Sequence, residues 1–110
     1  MLIINSNGSK WCGQPPDTID ELKDALKNYT LDPAFEQYGN FVNRAPKWDK
    51  PELNERFKGC TTIFGNFLTY SHVFSIITND EHLINEIEGL VAENKERPEY
   101  RAAKADISNG

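Results

Sequence analysis

Residues 60–78 read Cys60-Thr61-Thr62-Ile63-Phe64-Gly65-Asn66-Phe67-Leu68-Thr69-Tyr70-Ser71-His72-Val73-Phe74-Ser75-Ile76-Ile77-Thr78. This stretch is dense in Thr, Ile, Phe, Tyr and Val, the residues that fit a pleated, half-buried surface. It predicts two strands, near 60–67 and 71–78, with a turn or a bulge between them. A helix follows at once. Thr78 and Glu81 have capping-box spacing, and the helix is expected to begin at Asn79 or Asp80. Leu83, Ile84, Ile87, Leu90 and Val91 form one apolar face, while Glu81, Glu86, Glu88 and Glu93 fall on the other. Pro98 ends or kinks this helix. Residues 99–106 read as a short polar helix, and 107–110 as a frayed tail.

Upstream, Leu2-Ile3-Ile4 is β-prone, and Asn7-Gly8 is a strong hairpin signal because both residues tolerate positive φ. Ser9-Lys10-Trp11 would form the returning strand. Cys12-Gly13-Gln14-Pro15-Pro16 cannot sit in a ladder and reads as a loop. A first helix is predicted over 18–28. Thr18 and Glu21 have capping-box spacing, Asp17, Asp20 and Glu21 suit the positive end of its dipole, and Ile19, Leu22, Ala25 and Leu26 form a stripe. Leu31-Asp32-Pro33 is a break. Residues 35–42 read as a short strand interrupted by Gly39. Tyr38-Gly39-Asn40-Phe41-Val42 echoes Phe64-Gly65-Asn66-Phe67-Leu68, suggesting two adjacent strands bent by the same device.

Residues 43–58 are different in kind. Arg44, Lys47, Lys50, Arg56 and Lys58 against Asp49, Glu52 and Glu55 make the segment +2, in a chain of net charge −5. It reads as a long charged loop, with a short helix at 51–57 that has Pro51 at N1 and Leu53 and Phe57 on one face.

The whole chain is 110 residues, which fits one domain, 1–110, with one modest core. With 38% hydrophobic and 26% charged residues, the composition is that of a globular protein rather than a disordered one. A pI near 5.0 disfavours a general nucleic-acid coat. No apolar run approaches the length of a membrane span, and the N-terminal residues lack the basic start of a signal peptide. Cys12 and Cys60, the only cysteines, are accordingly expected as reduced thiols in a cytosol.

Cys, His and the nucleophiles are few enough to check one by one. Cys12, Cys60, His72 and His82 show no CxxC, HxxxH or HExxH spacing, so neither a metal nor another cofactor is expected. Ser71 and His72 are strand neighbours and point to opposite faces, which rules out a dyad. Cys60 with His72 is the one nucleophile–base pair left open, with Cys12 as the other thiol. There is no GxSxG elbow, Walker A or GxGxxG. Phe64, Phe67, Tyr70 and Phe74 with the +2 loop could serve single-stranded nucleic acid, but a chain this small needs most of those rings for its core. Protein recognition asks for less. Trp48, beside Arg44, Lys47 and Lys50, and Trp11, beside Gly13 and Pro15-Pro16, have the character of anchor residues. The competing expectation is that each Trp lids the core.

The sequence thus predicts an α+β domain: a small antiparallel sheet of three to five strands with the 18–28 and 80–95 helices packed on one face. The motifs carry no family resemblance. The expected function is that of a non-enzymatic cytosolic interaction protein that binds and blocks a protein partner, by analogy of size and charge with bacterial or phage immunity and anti-defence proteins. Neither a membrane nor nucleic acid is the expected partner. The alternatives are a small enzyme using Cys60 and His72, or a single-stranded nucleic-acid-binding module.

Overall fold

The computed structural model describes residues 2–7, 16–36, 42–43, 49–68 and 72–109. The element order is β1 (Leu2–Asn7), α1 (Ile19–Asn28), α2 (Pro33–Glu36), β2 (Val42–Asn43), α3 (Pro51–Arg56), β3 (Thr61–Asn66), β4 (Val73–Thr78), α4 (Glu81–Lys95) and α5 (Pro98–Asn109). The strands form one antiparallel sheet in the order β1-β4-β3-β2, giving an α+β fold.

The stretch 60–78 forms the centre of this sheet. β3 and β4 pair along their whole length, from Thr61↔Thr78 to Asn66↔Val73. Burial alternates along both strands, so one face carries Thr61, Ile63, Gly65, Phe74, Ile76 and Thr78. Ile63, Phe67, Phe74 and Ile76 cluster with Leu22 and Leu26 of α1, Ile87 and Val91 of α4, and Tyr100 of α5. Ile4 of β1, opposite Ile76, and Val42 of β2, opposite Ile63, pack against the same core.

Gly65 does not mark a bulge, because the ladder runs through it without interruption. A Cβ there would lie 3.0 Å from Cζ of Phe74, so the missing side chain makes room for that ring. The chain needs a glycine for its backbone at Gly59, where φ is +79° in the turn that enters β3.

The helix boundaries follow their caps. Thr18 accepts from the Glu21 N–H at 3.2 Å, while the Glu21 carboxylate reaches back to the Asp17 N–H at 2.9 Å, one residue beyond the N-cap N–H of a standard capping box. The cap of α4 is Asp80 rather than Thr78. The Asp80 carboxylate accepts from the N–H groups of His82 and Leu83, and Thr78 instead accepts from the Asp80 N–H. Thr78 is fully buried at the end of β4 and so cannot turn out to start the helix.

The short helix expected at 51–57 is α3, with Pro51 opening it and Phe57 buried behind it. Two expectations are corrected. Residues 35–42 are not one strand: Phe35 and Glu36 belong to α2, whose first turn is held by the Asp32 carboxylate accepting from the Ala34 N–H, and among the described residues of this stretch Val42, with Asn43 after it, pairs with β3. Helix α5 carries helical backbone to Asn109, where a frayed tail was expected from 107. The expected returning strand at 9–11 and the glycine device at 38–41 lie outside the described residues.

Candidate interaction surface

Helix α1 ends at Asn28, and the chain leaves it in extended conformation through Tyr29. Residues 30–32 then run antiparallel to the end of β3. Leu31 bridges Phe67, the Leu68 N–H donates to the Thr30 carbonyl at 2.7 Å, and the Asp32 N–H donates to the Asn66 carbonyl at 2.7 Å. The outer edge of β3 is therefore completed by two separate pieces, β2 at one end and residues 30–32 at the other.

This exit is also clasped from the helix side. Asn94, on the last turn of α4, is 1% exposed. Its side-chain oxygen accepts from the Leu31 N–H at 2.7 Å, and its amide nitrogen donates to the carbonyls of Tyr29, at 2.7 Å, and Leu26. Arg97, one turn on, donates to the Lys27 carbonyl. Asn94 of α4 and Arg97, in the link between α4 and α5, thus satisfy carbonyls that the C-terminus of α1 leaves without an intrahelical partner, with a cation at the negative end of the dipole. The ion pair between Lys23 and Glu86, at 2.8 Å, joins the same two helices.

Tyr29 is held in backbone but open in side chain. It is 42% exposed, with its ring edge-on to the buried ring of Phe67 at 6.3 Å. Among the described residues two other large apolar side chains are comparably exposed, Leu68 and Val73, both 37%. All three lie at one end of the sheet but not on one face: Tyr29 shares the helix-covered face with Leu31 and Phe67, and Leu68 and Val73 lie on the opposite face. Leu68 follows β3, Val73 opens β4 opposite Asn66, and Tyr29 precedes the residues that bond to Leu68. Leu68 and Val73 continue the second face of the sheet, where Thr62, Phe64, Asn66, Ser75 and Ile77 are half-buried and uncharged. The side-chain oxygens of Thr62 and Asn66 are buried and find no hydrogen-bond partner among the described residues.

Beside Tyr29 lies a groove of about 300 Å³ along α1, lined by Pro16, Glu21, Asp24, Ala25, Asn28 and Tyr29. Glu21, Asp24, Ala25 and Asn28 share one side of the helix by their spacing. Lys23 falls on the other side and is turned to Glu86, while Lys27 lies one helical turn beyond Asp24. The groove therefore carries carboxylates beside an aromatic ring.

The residues singled out from sequence are placed as follows. Cys60 is a buried free thiol just before β3, and His72 is buried just before β4. The Phe67 N–H donates to the His72 carbonyl, so His72 sits across from Phe67, seven residues along from Cys60. At the rise of a strand that separation is roughly 20 Å. The fold therefore does not bring Cys60 and His72 together, and the Cys60–His72 enzyme reading loses its geometry. Phe67 and Phe74 are 2% and 1% exposed, their centroids 5.4 Å apart within the core, and Phe64 is met edge-on by Phe35 at 6.0 Å. Those rings are spent on packing rather than offered to bases. Lys50 is exposed at the N-cap position of α3. Trp11, Cys12, Arg44, Lys47, Trp48 and Tyr70 lie outside the described residues. Among the described residues no group of three or more His, Cys, Asp or Glu is placed to hold a metal ion, and no helix is long and apolar enough to cross a membrane.

Sequence reasoning missed Tyr29, Leu68, Val73 and Asn94. Tyr29 carried one signal: a large aromatic immediately after a helix C-terminus and before a proline break. No protein-family model, curated protein or solved structure matches the chain.

Proposed function

We propose that this chain is a non-enzymatic interaction protein of the cytosol that binds a protein partner and blocks one of its surfaces. The observation that supports this is the exposure of Leu68 and Val73 together on the open face of the sheet, with the exposed Tyr29 ring beside a groove at the same end of the helix-covered face. Scattered apolar side chains on a surface need no explanation, but grouped ones next to a groove mark contact sites. Tyr29 suits an anchor because its backbone is already fixed by Asn94 and by the strand-like pairing of residue 30, so a partner gains area without ordering a loop. Lys50, Arg44, Lys47, Trp48 and Trp11 are the further partner contacts that the sequence suggests. An immunity or anti-defence role is the kind of blocking activity that size and charge suggest.

The test is capture from a lysate of the source cells on immobilised wild-type protein and on Leu68→Asp/Val73→Asp protein, with melting temperatures measured for both. Binding through this end predicts a protein retained by the wild type and lost from the double variant while the melting temperature holds. Equal retention by both would reject the surface. Turnover of a small molecule that persists in a Cys60→Ala, Cys12→Ala chain and requires no partner would reject the non-enzymatic reading.

A further inference from the structure

We draw no further inference here: the strongest candidate, the open face of the sheet around Leu68 and Val73, belongs to the surface already described, and nothing in the structure shows what covers it.

Discussion

The Oδ1 of Asn94 accepts the backbone N–H of Leu31 at 2.7 Å, joining the last turn of α4 to the exit of α1 across 63 residues of sequence. The same side chain donates to the carbonyls of Tyr29 and Leu26, so one buried amide fixes the path of the chain from helix to sheet edge. The placement of Tyr29 follows from this relationship.

Asn94→Leu keeps much of the volume and removes every one of those bonds. It strands a buried N–H and two carbonyls, each of which carries a desolvation penalty, and should cost about 2–4 kcal/mol. Urea denaturation measures it. An unchanged midpoint would show that the exit of α1 does not depend on Asn94.

Ile87 is fully buried at the centre of the α4 face. Ile87→Ala should cost about 2–4 kcal/mol through lost transfer energy and the cavity left behind. A denaturant midpoint equal to wild type would place the buried face of α4 elsewhere.

The two glycines flanking and within β3 should respond for different reasons. At Gly59 an added methyl meets nothing within 4 Å, so Gly59→Ala pays only for its positive φ, about 1 kcal/mol. At Gly65 the backbone is ordinary, but the methyl presses on the Phe74 ring at 3.0 Å and on Leu31 at 3.4 Å. Gly65→Val should therefore destabilise by about 1–3 kcal/mol through overpacking, whereas Gly59→Asn should be nearly neutral, since Asn tolerates the left-handed region. Thermal melts of the variants separate strain from crowding.

Much of the fold was legible because its signals are local. The β-rich stretch 60–78 and the apolar face of α4 announce themselves by residue type and spacing, and Thr18 and Pro51 mark helix starts by rules that act over a few residues. The misread segments turn on contacts distant in sequence. Phe35 looks like a strand residue by propensity, yet Asp32 and Pro33 begin a helical turn in front of it, and its ring meets Phe64. Asn94 looks like a solvated polar residue late in a helix, and only the arrival of residues 26–31 beside it makes it a buried hub. The candidate site was harder to read because exposure is a tertiary property. Neither Leu68 nor Val73 differs in type from its buried neighbours Phe67 and Phe74. The search for a Cys–His pair failed for a related reason: Cys60 sits at the open end of the β3–β4 hairpin and His72 at its turn, and the length of the strands keeps them apart.

Cys60 is 4% exposed, so its thiol should be shielded from reagent. In a Cys12→Ser background, a thiol-specific chromogenic reagent should label native protein slowly and unfolded protein at once. Rapid labelling of the native chain would mean that the segment before β3 is open.

Hydrogen exchange of the chain alone and in complex with a captured protein partner tests the proposed surface most directly. Binding at the Tyr29 end predicts new protection at the backbone amides of 28–31, 66–68 and 73–75, and loss of that protection with Val73→Asp. Protection confined to 44–58, with the amides around Tyr29, Leu68 and Val73 unchanged, would contradict it.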